Sequence, residues 1–294
     1  MLDIGEEMEN FIISVESACD LDKATIKEND IKICPMEFSV DDSIIMSSGD
    51  DVSSKKIVDY LKSGANIKTT QVNEYMAEEY LNELLKEGKD ILHISFSSAM
   101  SNTFNNFANV AKRLNEKSTN KIYVVDSLCQ SGGVGLLVKM LVDEINFGKI
   151  KSAQEAQDYV ESVKLNIAHI FTVDDLKFLA KSGRVRTPIA LIGNLLQIKP
   201  ILKVNDDGAM VQIKKTVGRK KSIKELFDIF EKNYSALSHD VFITHANCDN
   251  DAQILKQMIT DKFNVNVYVV MLNPVVAVHG GPGSLALFYT ASKR

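Results

Sequence analysis

Several things are scarce in this 294-residue chain, and each scarcity removes a class of protein. The four cysteines, Cys19, Cys34, Cys129 and Cys248, include no C-x-x-C pair, and no histidine stands at ligand spacing from them. That excludes a zinc ribbon or a disulfide framework and predicts reduced thiols and no metal. There is no basic excess: the formal net charge is −5, which argues against nucleic acid as the main partner. No apolar run is long enough to span a bilayer. Phe263 to Ser292 carries no Asp, Glu, Lys or Arg, yet Asn264, Asn266, Asn273, Pro274 and the Gly280–Gly283 cluster interrupt it. The stretch reads instead as core strands entering a buried site, with no stable membrane insertion. The first ten residues are acidic where an export signal would be basic and then apolar, so the expected location is cytoplasmic. Repeats and low-complexity tracts are absent too.

What is present is an ordinary globular composition, 45% apolar and 25% charged, over enough chain for two domains. Short apolar runs alternate with helical patterns through the first half. Ile91–Phe96 runs toward a helix with Phe104, Phe107, Val110 and Leu114 at helical spacing, and Lys121–Asp126 leads into the helix Leu136–Asn146. This alternation predicts a largely parallel sheet flanked by helices, with ligands at the carboxyl ends of its strands. Ile31–Val40 is read as one strand near an edge or bulge, because Pro35 lies inside it. Asp41–Asp51 is read as a polar loop, Lys68–Asn73 as a turn, and Asp20–Glu28 as a helix. Beyond about Lys149 the pattern changes. Asn205–Gly208 is an Asp-Gly hairpin turn between strands 198–204 and 210–216, a short apolar helix is expected from Pro188 to Leu196, and Ser284–Thr290 looks helical. The expected architecture is α/β with two domains, residues 1–160 and 161–294, the second a mixed α/β sandwich and the ligand between them.

Two stretches point to a ligand. Ser97, Ser98, Ser101, Asn102 and Thr103 crowd the point where a helix must start, and helix starts present unpaired N–H groups and partial positive charge. Such a place suits a carboxylate or phosphate, although helix capping explains any one of these hydroxyls equally. His279-Gly-Gly-Pro-Gly283 sets a hydrogen-bonding imidazole beside glycines that let backbone approach a ligand; a purely structural turn is the alternative. A serine hydrolase would also need Gly-x-Ser-x-Gly, and a dinucleotide site the full Gly-rich spacing that Gly132–Gly135 lacks. Lys181–Arg186 and Lys214–Lys221 are basic clusters, either solvated faces or docking points for an anion or partner. Asp174 and Asp175 fall where a helix begins, which favours capping over paired-carboxylate chemistry.

Taken in order, Ser17–Leu21, Thr69–Gln71, Ser97–Thr103, Val125–Ser127, Val173–Leu176, Ser182–Arg184, Leu196–Pro200, Arg219–Lys221 and His279–Gly283 resemble the motif series of the DegV family of bacterial fatty-acid-binding proteins. The resemblance runs from about Phe11 to the carboxyl terminus. It implies two α/β domains with a long-chain fatty acid in a tunnel between them. Its carboxylate would be gripped by hydroxyls matching Thr69 or Thr70 and Ser97 or Ser98, together with His279. It further implies a carrier rather than an enzyme, with no catalytic residue and no cofactor. The carrier presents its acid to a separate ATP-dependent fatty acid kinase, and the acyl phosphate goes to an acyltransferase of phospholipid synthesis; Arg184 and Arg219 would serve phosphate or kinase docking. The sequence departs from the family pattern at Glu16 (usually Asp), Asn102 (usually Gly), Gly280 (commonly Thr) and Val217 (often Arg). Two other classes compete: a phosphotransferase or hydrolase with His279 as base or nucleophile, and a regulatory module that kept the fold without the ligand.

Overall fold

Phe11–Glu16 forms β1 and is buried at every position, as a strand covered on both faces must be. Its side chains alternate between two cores. Phe11, Ile13 and Val15 join one cluster and Ile12 the other. The computed structural model describes residues 11–47, 51–186 and 197–294; the helix expected at Pro188–Leu196 lies outside them. After β1 come a single turn Ser17–Cys19, α1 (Lys23–Glu28), β2 (Lys32–Cys34), β3 (Met36–Val40), β4 (Ser43–Ser47), α2 (Asp51–Ser63), β5 (Ile67–Thr70) and α3 (Glu74–Leu85). Next are β6 (Asp90–Ser95), α4 (Thr103–Asn115), β7 (Ile122–Asp126), α5 (Gly132–Asn146) and α6 (Ala153–Val163). The second half holds β8 (Ile167–Thr172), α7 (Leu176–Ser182), β9 (Ile198–Val204), β10 (Met210–Val217), α8 (Arg219–Asn233) and β11 (Asp240–His245). It closes with α9 (Asp249–Thr260), β12 (Asn266–Met271), α10 (Pro274–Gly280) and β13 (Leu285–Thr290).

The first sheet is parallel throughout, in the order β2-β1-β6-β7. A mixed sheet, β10-β9-β8-β13-β11-β12, belongs to the second domain, and a small antiparallel sheet, β4-β3-β5, flanks the first. The mixed α/β architecture expected from the sequence is therefore the architecture found. Helix α5 runs between the two larger sheets. Its Leu136, Leu137 and Leu141 share a core with Ile94 and Val125 of the first sheet and Phe242 and Phe288 of the second.

Several local expectations are corrected. Ile31–Val40 is not one strand: Pro35 divides it, and β2 and β3 belong to different sheets. Asp41–Asp51 is not a loop. Asp41 and Asp42 take positive φ (46° and 68°), as a tight hairpin turn demands, and β4 folds back on β3. Lys68–Asn73 is not simply a turn, because its first residues complete β5, with Thr69 opposite Phe38. Asp20–Glu28 becomes a short helix only from Lys23, with Asp22 accepting the Thr25 N–H at 2.9 Å as its cap. Gly132–Gly135 is the first turn of α5 rather than a loop. A Cβ on Gly132 would lie 2.8 Å from Phe288 and one on Gly135 2.7 Å from the Cys19 carbonyl, so only glycine lets the helix fit there. Finally, 274–280 is helix and 285–290 is strand, the reverse of the pattern expected. Asn273 caps α10 through the Val275 N–H at 2.9 Å with Pro274 in its first turn, and this overrides the β-branched run.

Candidate functional site

A cavity of about 460 Å³ opens where the small sheet, the first sheet and the second sheet meet. Its size is that of an ordinary small-molecule site. One end is polar and reaches solvent: Thr70, Gln71 and Asn102 there are exposed, and Thr69, Ser101 and His279 half-buried. Away from them the wall is mainly apolar, with Phe96, Met100, Phe171, Leu179, Met210 and Phe288, and Gln130 and Ser131 are set among these.

The polar end is assembled from distant segments. Thr69 stands near the end of β5 and His279 in the last turn of α10; Thr69 Oγ1 and His279 Nε2 are 2.9 Å apart. Helix α10 is fixed to the segment after β1. The Asn273 N–H donates to Asp20 at 2.8 Å, and the Asn273 side-chain amide donates to the Ser17 carbonyl at 2.9 Å. Asp20 also accepts the Ser131 hydroxyl, so one carboxylate joins β1, α5 and α10. Burial pushes the Asp20 carboxyl up to about 7, against the pull of these two hydrogen bonds.

Arg184 also lines the cavity, with Nη1 donating to the Ser182 carbonyl at 2.6 Å. Burial first, and then the Arg184 charge, bring His279 down to about 4. The imidazole is neutral at neutral pH and has one N–H to give. An anion arriving there meets a fixed guanidinium charge, a neutral imidazole and threonine and serine hydroxyls.

Ser97 and Ser98, by contrast, do not line the cavity. Ser97 is fully buried and donates to the Gly208 carbonyl at 2.8 Å, tying the turn to the β9–β10 hairpin. The Ser98 N–H donates to Asp126 at 3.1 Å. The turn winds tightly after Ser97, whose carbonyl accepts from both Met100 and Ser101, and this brings Met100, Ser101 and Asn102 to the wall instead. Arg219 is also away from the cavity: its Nε donates to Asp251 at 2.8 Å, and Nη1 lies 3.4 Å from Asp174. Asp175 caps α7 through the Lys177 N–H at 2.9 Å, and Asp174 pairs with Lys199 at 2.9 Å. Among the described residues no cluster of His, Cys, Asp and Glu could hold a metal ion. Sequence reasoning placed Ser101 in the hydroxyl cluster at the helix start but did not carry it into the carboxylate grip, and it passed over Asp20 as the joint; the left-handed backbone at Asp20 (φ 50°) inside the Ser17–Leu21 motif is apparent only in the structure.

The profile of the family described as "Uncharacterised protein, DegV family" matches residues 10–292. The chain belongs to the DegV family. It is similar to a DegV domain-containing protein of Clostridium perfringens, 36% identical over 291 residues, covering 98% of this chain and 99% of that one. Among solved structures it is similar to a DegV lipid binding protein from Thermotoga maritima (TM-score 0.84, 22% identity, 97% of this chain and 99% of that chain). A fatty acid binding DegV family protein from Streptococcus agalactiae matches equally well (TM-score 0.84, 23% identity, 96% and 99%). At these identities the likeness establishes a shared DegV fold.

The departures from the DegV pattern each have a physical setting. Glu16 is buried, accepting the Ser95 hydroxyl at 2.5 Å and the Phe96 N–H at 3.0 Å, with His93 Nε2 at 3.3 Å. Ser14 continues that network to His93 Nδ1 and to the Tyr80 hydroxyl, each at 2.9 Å. The longer carboxylate is thus absorbed by the core and fixes Phe96, a wall residue. Gly280 lines the cavity, and a Cβ there would collide with the Ser284 hydroxyl. Asn102 occupies the cap position of α4 and bonds to Asn105 and Asn106. Val217 is exposed at the end of β10.

Proposed function

We propose that this DegV chain binds a long-chain fatty acid, with the carboxylate at Thr69, Thr70, Ser101, Arg184 and His279 and the hydrocarbon running along the apolar wall. The single observation that carries the reading is the Thr69–His279 pair beside Arg184 at the open end of a mainly apolar cavity. The lipid binding and fatty acid binding described for the Thermotoga and Streptococcus relatives support it. Energetics fit as well. Each buried methylene contributes about 0.8 kcal/mol, so a tail of about twelve gives on the order of 10 kcal/mol. Each hydrogen bond to a charged head adds about 1.5–3 kcal/mol. The tail supplies affinity and the head fixes position.

The acid's carboxylate would then stand at the mouth, where Thr70, Gln71 and Asn102 are exposed, and a second protein could reach it. The recipient is an ATP-dependent fatty acid kinase that forms the acyl phosphate used by an acyltransferase in phospholipid synthesis, and the chain works in the cytoplasm as a carrier. Ser97, Ser98 and Arg219 act behind the site, through the β9–β10 hairpin, the end of β7 and the start of α8 respectively. The domain division falls near residue 160, in the last turn of α6. Native mass spectrometry of the protein purified from a bacterial host tests binding: a co-purifying acyl chain is expected. A protein that emerges empty and takes up no added fatty acid contradicts it. Acyl phosphate formation that depends on both this chain and the kinase tests the second step. Turnover of phosphate or ester substrates by the isolated chain would favour a His279 enzyme instead.

A further inference from the structure

Gln130 sits where a hydrocarbon should run. It lies on the turn between β7 and α5, is only 7% exposed, and lines the cavity. Its turn packs under the second sheet: a Cβ on Gly132 would meet the Phe288 ring, and Phe288 and Phe171 line the same cavity. The turn is held on several sides. The Gln130 N–H donates to His169 Nε2 at 3.2 Å, its carbonyl accepts the Gly133 N–H at 2.9 Å, and Arg294 Nη1 donates to the Leu128 carbonyl at 2.7 Å. Neighbouring Ser131, also on the wall, already gives its hydroxyl to Asp20. The Gln130 side-chain amide has no hydrogen-bond partner among the described residues.

A buried amide facing a ligand cavity is costly to cover with hydrocarbon, since the ligand removes solvent and returns no hydrogen bond. We propose that Gln130 makes the site selective for acyl chains that carry a hydroxyl or oxo oxygen along their length. The amide offers both a donor and an acceptor, so either oxygen is served. A fixed polar group discriminates mainly against the ligand that leaves it unpaired. This proposal rests on the fatty-acid reading of the cavity.

The test is titration calorimetry of the full chain with octadecanoic acid and a series of its mid-chain monohydroxy derivatives, repeated on Gln130→Met and Gln130→Leu. In the unaltered chain at least one hydroxy isomer is expected to bind about tenfold tighter than octadecanoic acid. Both variants are expected to lose that preference while gaining affinity for the unsubstituted acid. If octadecanoic acid binds as tightly as every hydroxy isomer, the Gln130 assignment is overturned and the fatty-acid reading stands; the same holds if a folded variant keeps the preference. If no acid of either kind binds, both fall.

Discussion

Thr69→Val replaces a hydroxyl by a methyl of nearly the same shape and tests the head group directly. Thr69 Oγ1 lies 2.9 Å from His279 Nε2, and His279 is neutral because burial and Arg184 hold it down to about 4. If the imidazole donates Nε2–H to Thr69, the threonine proton is free for the carboxylate, and the pair acts as a relay of two donors. Removing the hydroxyl then deletes one hydrogen bond to a charged group, about 1.5–3 kcal/mol, or roughly ten- to 150-fold in Kd. His279→Ala removes only the neutral bond behind it, about 0.5–1.5 kcal/mol. Because the two act in series, the double variant should resemble Thr69→Val alone. The assay is displacement of a fluorescent fatty acid by a long-chain acid and by its methyl ester, which has no charge to lose. The expected result is a weakened acid, an ester little changed, and partial rescue by Thr69→Ser. Equal weakening of acid and ester, or two single effects that simply add, would refute the relay.

Asp20 gives a pH prediction. Its carboxyl stands at about 7 in the folded chain against a usual 3.8, raised by burial. Between about pH 4 and about pH 7 the folded state holds a proton that the unfolded chain has released. Stability from this group is therefore full below about pH 4 and falls as pH rises to about 7, by a few kcal/mol. Asp20→Asn keeps an acceptor for the Asn273 N–H and removes the titration, so its urea midpoint should gain on that of the unaltered chain as pH rises; parallel pH curves would count against this. Ser97→Ala should lower stability by about 1–3 kcal/mol, by stranding the Gly208 carbonyl, and leave acid affinity unchanged. A large loss of affinity at unchanged stability would return Ser97 to the site.

Much of the fold was legible because its strands are short, bounded and apolar, and Ile91–Phe96 and Lys121–Asp126 were found within a residue or so of β6 and β7. The misreadings share a cause. β4 and β5 are short edge strands of a small sheet: β5 is polar at Lys68, Thr69 and Thr70, the Ile44–Met46 run of β4 is hidden among flanking Asp and Ser, and α10 is a β-branched segment decided by its Asn273-Pro274 start. Thr69 and His279 could be named from motif resemblance, but their meeting depends on α10 folding back onto β5. That Ser101 lines the cavity while Ser97 and Ser98 do not has a related reason. A cluster of hydroxyls shows that a turn is polar, and only its winding decides which of them face the cavity.

The most direct test of the central claim is a crystal structure of the chain saturated with a long-chain fatty acid. The expected density places a carboxylate oxygen within about 3 Å of Thr69 Oγ1 and the hydrocarbon past Phe96 and Met100 toward Phe171 and Phe288. An acid bound elsewhere, or lying in the cavity with its tail at Thr69 and His279, would contradict it.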